Sequence, residues 1–242
     1  MKTEKLAVVV GGSRGLGRGV VEALAAKGHR VIAVARGEEA LTELARAVPG
    51  VRGVRGDATD AALAEELLGE RPDLVVLAAG AMPVVGAFHE LSWEDFGKNW
   101  NVDTRSAFVW LGRALRQPVG HFVVVASGAA LQGSPASGGY ASAKRAQWYL
   151  ADYAATEAKR AEIPMIVHCV LPHLNASTAL GRSGIEIYAR RAGVPFETFV
   201  KRFDPQLTPA IMGQSIVELT DAPERFPALA YKIGGGGLAT LP

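Results

Sequence analysis

A strand that breaks into glycines and restarts as a helix leaves a chain few folds to choose from, and this chain opens with one. Leu6 to Val10 is an apolar run suited to a buried strand. Gly11-Gly12-Ser13-Arg14-Gly15-Leu16-Gly17 follows, and Leu16, Val20 and Leu24 recur at helical spacing until Gly28 offers a stop. Such a turn makes an anion site. The first N–H groups of the helix have no partner inside it, and the positive end of the helix dipole faces the turn. Residues without a β-carbon let a pyrophosphate come close. The spacing is Gly11-x3-Gly15-x-Gly17, with Ser13, Arg14 and Leu16 completing the candidate cradle. A glycine turn can also be a tight connection with no ligand, so the later strand ends decide its meaning.

The chain repeats the same beat. His29 to Ala35 is a second apolar strand, followed by a helix from about Glu38 through Leu41 and Leu44 that stops at Pro49-Gly50. Val51 to Arg55 is weaker, with Arg52 and Arg55 among the valines, which suits a place near an edge. A helix through Leu63, Leu67 and Leu68 leads to a central strand from Asp73 to Ala79, closed by Gly80. Ser92-x-x-Asp95 has the form of a capping box opening a long helix to about Arg116. Phe122 to Ala126, Pro164 to Leu171 and Ala228 to Ile233 read as further strands, with a long helix from about Gly139 to Ala161. This alternation predicts an α/β fold: one domain over 1–242, a doubly wound parallel sheet of about seven strands with helices on both faces. The glycine run Gly234 to Gly237 reads as a connection.

Composition narrows the function. At 242 residues and 49% hydrophobic the chain fills one sizeable core. Twenty-six Lys+Arg against 24 Asp+Glu leave +2, and the basic residues are scattered, so neither nucleic acid nor a membrane surface is an expected partner. No apolar run approaches the roughly 18 residues of a membrane span. The lone Cys169 sits in an apolar run and reads as a small core residue, and no metal site is expected. Met1-Lys2 and the apolar run imitate a signal peptide briefly but lack a cleavage site, so a cytoplasmic location is expected.

Ligands of such sheets bind beyond the carboxyl ends of the strands. The second strand ends in Arg36, where an NAD site usually places an acid. Arg36 and Arg14 together suit a 2′-phosphate and predict NADP(H) over NAD(H). Asp57, followed by Ala58, can accept from the adenine amino group or cap the next helix. Ser127 closes the fifth strand, and thirteen residues later Tyr140 and Lys144 share a helix face one turn apart.

With these residues in this order, the chain resembles the short-chain dehydrogenase/reductase family of the short single-domain type, along nearly its whole length. The resemblance implies a Rossmann-like fold in which Gly11, Gly15 and Gly17 form the cofactor turn, Asp57 binds the adenine side, and Ala79, Gly80 and Pro172 line the cofactor. Asn101 matches the active-site asparagine, which loosens its helix and holds a water relaying protons to Lys144; Ser127, Tyr140 and Lys144 match the catalytic serine, tyrosine and lysine. Ser177, with Thr178 beside it, falls where the family has a threonine that bonds the cofactor. His173 replaces the glycine after Pro172, Val10 a threonine, and Leu77-Ala78 two asparagines. A segment at about 175–205 is expected to fold over the substrate, with Tyr188, His173, Met82, Ala129, Leu131 and Gln132 as candidate walls. A homodimer or homotetramer is implied, packed through the helices that begin near Ser92 and Gly139, where Trp110, Trp148 and Tyr149 read as interface or core residues. The implied activity is NADP(H)-dependent hydride transfer between nicotinamide and a carbonyl or secondary alcohol on a hydrophobic small molecule. The alternatives are an isomerase or lyase using bound nucleotide, and a nucleotide-sensing binding protein.

Overall fold

The computed structural model describes residues 5–241, so the Met1-Lys2 reading lies outside the described residues. β1 (Leu6–Val10) turns through the glycines into α1 (Gly15–Ala26); β2 (Arg30–Ala35), α2 (Glu38–Ala47), β3 (Val51–Arg55), α3 (Ala61–Gly69) and β4 (Leu74–Leu77) follow. Next come α4 (Trp93–Asn99), α5 (Arg105–Ala114), β5 (His121–Val125), the short α6 (Ala129–Gln132), α7 (Tyr140–Arg160) and β6 (Ile166–Pro172). The chain closes with α8 (Ala179–Arg191), α9 (Phe196–Val200), α10 (Pro209–Asp221), β7 (Ala230–Gly234) and β8 (Gly237–Thr240).

The strands form one sheet in the order β3-β2-β1-β4-β5-β6-β7-β8. β1 and β4 are neighbours, so the winding reverses between them and leaves a crevice at their carboxyl ends. β3 takes the edge that its arginines suggest. The sheet has eight strands, one more than the sequence pattern implies. β8 runs antiparallel to β7 across the glycine run, which is therefore a hairpin connection. It is short and half-exposed, too brief to carry an apolar signature.

Alternating side chains send β1 into both cores. Val8 and Val10 join Leu77, Trp110 and Phe122 on one face; Ala7 and Val9 join Leu24, Val123 and Met212 on the other. Each fully buried Leu or Phe among these contributes about 1.5–3 kcal/mol. The second layer depends on glycines. A Cβ at Gly19 would lie 1.9 Å from the Pro209 carbonyl oxygen, and one at Gly213 would lie 2.1 Å from the Gly19 oxygen. Only backbone-to-backbone packing of α1 on α10 fits, and it fixes the axis of the helix that starts at the glycine turn.

The expected continuous helix from Ser92 to Arg116 is interrupted. Ser92 does cap α4, accepting from the Asp95 N–H at 3.1 Å. One wide π-turn, Trp100–Thr104, then separates α4 from α5. Asn99, Asp103, Ser106, Ala107, Trp110, Leu111 and Ala114 face inward, and Asn101, Arg105 and Phe108 face out. Trp110 is accordingly a core residue, not an interface one: it is fully buried and donates from Nε1 to the Ala58 carbonyl at 2.9 Å.

Candidate active site

The glycine turn has the shape that a pyrophosphate requires. Gly11 has φ +87°, and a Cβ there would lie 2.6 Å from the Ala79 nitrogen. A Cβ at Gly17 would lie 2.2 Å from the Gly11 oxygen. The N–H groups of Gly11 and Gly12 are taken by the Val34 carbonyl, at 2.8 and 3.2 Å. Those of Gly15, Leu16 and Gly17 precede the first bond of α1, Arg18 N–H to Arg14 oxygen, and face the turn. Arg14 and Arg36 are both exposed, and neither makes a salt bridge among the described residues. Asp57 caps its own turn by accepting from Thr59 N and Oγ1, each at 2.8 Å, and these bonds hold its carboxyl below the usual range. Asp60, not Asp57, caps α3.

Further along the sheet, Ser127, Tyr140 and Lys144 come together. Tyr140 heads α7, and a Cβ at its N-cap Gly139 would lie 1.9 Å from the Phe96 oxygen; that contact seats the helix end against α4. Tyr140 keeps 8% of its surface, and Ser127 stands near enough to its phenol to ease loss of the proton. Lys144 Nζ lies 5.7 Å from the Tyr140 ring centre. Burial raises the phenol's pKa against the lowering effects of Lys144 and Ser127, and Asp103 raises it further. Burial also opposes the Lys144 ammonium, but Asp103 and then Tyr140 outweigh it and hold the ammonium charged.

Asn101 does not join them. It sits exposed on the outer side of the π-turn, roughly half a turn from the inward face. Asp103 takes the inner place. It is fully buried, with Oδ1 3.0 Å from Lys144 Nζ. Its Oδ2 accepts from Ala81 N at 2.9 Å and from Asn99 Nδ2 at 3.1 Å, and Asn99 Nδ2 also donates to the Ala81 oxygen at 2.9 Å. Two side chains from the facing helix thus brace the turn after β4, where Leu77-Ala78 offer no amides. Lys144 also donates to Gln147 Oε1 at 2.9 Å and to the Val125 oxygen at 3.4 Å.

Of the remaining candidates, Pro172 is buried at the end of β6 and accepts from Gly128 N at 2.8 Å. The His173 ring covers Gly234, with Nδ1 3.2 Å from an ideal Cβ there, and reaches within 4.0 Å of one at Gly128. The Ser177 hydroxyl lies 2.7 Å from Asn175 Oδ1 and 3.0 Å from the Leu207 oxygen, either of which can accept its one proton, so it faces its own loop. Thr178, not Ser177, lies against the glycine turn, its Cγ2 3.4 Å from an ideal Cβ at Gly15. Met82, Leu131 and Gln132 are exposed, and Ala129 donates its N–H to Ser127 Oγ at 3.2 Å. Tyr188 Oη meets Ser134 Oγ at 2.5 Å and accepts from Ala136 N at 3.3 Å, tying α8 to the loop between Ser127 and Tyr140.

The sequence reading missed Asp103, Asn99 and Gln147. A signal existed: Asp103 shares the i, i+3, i+4, i+7 stripe of Ser106, Ala107 and Trp110, and a carboxylate on a buried stripe needs a partner.

The family model described as short chain dehydrogenase matches residues 5–183. L-xylulose reductase of Bos taurus is 35% identical over 147 residues, covering 58% of this chain and 60% of that one. Carbonyl reductase (NADPH) 2 of Sus scrofa is 36% identical over 104 residues, covering 42% of each. The chain therefore aligns with less than two thirds of these relatives' length. An actinorhodin polyketide ketoreductase solved with NADPH superposes with a TM-score of 0.81 at 22% identity, over 98% of both chains. A short chain dehydrogenase from Mycobacterium avium gives 0.76 at 20% identity, over 99% of this chain and 85% of that one. At these identities the structures speak for the fold, while the family model speaks for descent. The chain belongs to the short-chain dehydrogenase family.

Proposed function

We propose that this protein is an NADPH-dependent reductase of a small carbonyl compound, with Tyr140 as its proton donor. The observation that carries this reading is the joint placement of Ser127, Tyr140 and Lys144 beyond the carboxyl end of β5, in the sheet whose switch point holds the glycine turn. The turn fits a dinucleotide, because its close approaches leave no room for a Cβ while three N–H groups face outward. Gly15, Leu16 and Gly17 would hold the pyrophosphate, Asp57 and Ala58 the adenine side, and Ala79, Gly80 and Pro172 the middle. Ser13 lies buried within the turn, and Thr178 would take the place expected of Ser177.

A bound nicotinamide supplies the hydride. The protein manages charge on the substrate oxygen. The Tyr140 O–H bond breaks as its proton passes to that oxygen, and the electron pair stays on the phenolate. Ser127 donates a hydrogen bond to the same oxygen. The Lys144 ammonium stabilises the phenolate that remains, and solvent restores its proton. Arg14 and Arg36 support NADPH over NADH, because two free guanidiniums at the adenine ribose suit a 2′-phosphate. The names of the bovine and porcine relatives, both reductases, support reduction of a carbonyl.

Residues 175–205 would form the substrate lid. Their apolar side chains pack largely on one another, with Ile185 and Phe199 buried among Leu174, Tyr188 and Phe203, so the lid holds its own shape. Trp100, Phe108, Tyr149 and Tyr153 line an exposed cleft between the π-turn, α5 and α7, which supports self-association there.

Tyr140→Phe is the test. Its kcat/KM with NADPH on a panel of ketones, aldehydes and quinones should fall by on the order of 10²–10⁴. NADPH binding, followed by fluorescence, should stay within about a few-fold of wild type, since the change leaves the glycine turn intact. Undiminished turnover would remove Tyr140 from the chemistry.

A further inference from the structure

Lys144 is surrounded on every side. From the π-turn, the Asp103 carboxylate stands 3.0 Å away; from α7, Gln147 Oε1 stands at 2.9 Å; from β5, the Val125 oxygen stands at 3.4 Å. Gln147 and Val125 each accept one of the ammonium's protons, and the Asp103 carboxylate faces its charge. The other titratable groups facing it are Tyr140 on its own helix and Cys169 on β6. Burial pushes the Cys169 thiol up to about 12, so it stays neutral. Arg145, next along α7, stacks on Trp148 instead, 4.2 Å from that ring's centre. Asp103 is thus the one full negative charge set against Lys144 among the described residues.

The carboxylate is fixed in that place. Oδ2 is held by Ala81 N and Asn99 Nδ2, which leaves Oδ1 for the ammonium. Oδ1 makes no aligned hydrogen bond of its own, so the contact is chiefly charge against charge. Room for the pair comes from Gly80, where a Cβ would lie 2.7 Å from Asp103 Oδ1 and 3.4 Å from Lys144 Nζ. Gln147 ties the two helices together, since its Nε2 donates to the Asp103 carbonyl at 2.8 Å while its Oε1 accepts from Lys144.

We infer that Asp103 is a positioning residue: it holds and neutralises the Lys144 ammonium, and so keeps Tyr140 protonated, in the form that delivers a proton to a carbonyl oxygen. This rests on Tyr140 being the proton donor. A lysine with no counter-ion favours the phenolate, which suits proton removal from an alcohol. A lysine already matched by a carboxylate favours it less. The family resemblance places an uncharged asparagine at the active-site helix, and this chain places a carboxylate there. Its site is thereby biased toward reduction, and its activity as a reductase extends to higher pH than an uncharged residue at position 103 would allow. The raised pKa of Tyr140, to which burial contributes most and Asp103 adds, has the same direction.

Ultraviolet titration of tyrosinate tests this without substrate. The Tyr140 signal is the difference between wild type and Tyr140→Phe, and in the variant background between Asp103→Asn and Asp103→Asn/Tyr140→Phe. Asp103→Asn should lower the Tyr140 midpoint by about one pH unit or more. The alkaline limb of NADPH-dependent diacetyl reduction should move down with it. A midpoint and a limb that both stay in place would overturn the inference. If Asp103→Asn does not fold, the wild-type midpoint decides: it should lie at or above that of free tyrosine, and one below would overturn the inference. The Tyr140→Phe protein separates the two claims. Diacetyl turnover that survives in it removes the proton-donor reading, whereas the tyrosinate midpoint judges Asp103 alone.

Discussion

Arg14 and Arg36 are single residues with a large expected effect, because a charge-assisted bond to phosphate is worth about 1.5–3 kcal/mol. Arg36→Asp should raise the Kd for NADPH by about tenfold or more at low salt, and leave that for NADH within about a few-fold. An unchanged ratio of the two constants, measured by fluorescence titration, would overturn the NADPH preference. Asp103 and Lys144 share an environment with little water, so the pair's parts are unequal to its sum. Asp103→Ala strands a buried ammonium, and urea unfolding should show a loss of about 3–5 kcal/mol. A loss under about 1 kcal/mol would mean that the ammonium finds water or another partner. Residues of this kind were unevenly legible in the sequence. Ser127, Tyr140 and Lys144 announce themselves by spacing. Asn101 rests on the family resemblance, and a helix turns about 200° in two residues, so the resemblance points outward while the inward place belongs to Asp103.

At the scale of elements, α8 depends on one phenol. Tyr188 bridges the helix to Ser134 and Ala136 and stacks near-parallel on Phe199, with interplanar angle 12°. Tyr188→Phe keeps the stack and loses the bridge. Cleavage by trypsin within residues 175–205 should quicken severalfold, since a lost hydrogen bond is worth about 1 kcal/mol. An unchanged cleavage rate would show that the apolar cluster alone holds the segment down. The strands and helices around the glycine turn were readable because apolar residues repeat at period two or near 3.6. The π-turn was legible only through the family resemblance, which loosens the helix at Asn101, because one extra residue shifts the phase of a helix without marking its composition. β8 escaped notice for a different reason: a four-residue half-exposed strand takes its structure from the hairpin to β7, which no local pattern records.

Across the whole molecule, a second buried polar pair sets the response to acid. His121 Nε2 and His168 Nδ1 lie 2.7 Å apart across β5 and β6, and His168 Nε2 lies 2.8 Å from the Phe226 carbonyl oxygen. That chain needs His168 neutral, because its Nε2–H donates to Phe226 while its Nδ1 accepts from His121. Burial first, then the proximity of His168, pushes His121 down to about 3. Burial also lowers His168. The unfolded chain binds these protons below about pH 6.5 and the folded one does not, so stability is full above that value and falls below it. The fall should reach about 1.4 kcal/mol per pH unit for His121 alone as pH drops toward 3. Replacing His121 with Phe should flatten the slope of urea midpoint against pH between those limits. An unaltered slope would place the acid sensitivity elsewhere.

All of this converges on where the Tyr140 hydroxyl stands when the glycine turn is filled. A crystal structure with NADPH and an unreactive carbonyl analogue measures it directly. The account predicts Tyr140 Oη and Ser127 Oγ within hydrogen-bond reach, about 2.6–3.2 Å, of the analogue's oxygen, with Lys144 still against Asp103. A phenol turned away from the nicotinamide in every copy, with residues 175–205 closed over the analogue, would contradict it.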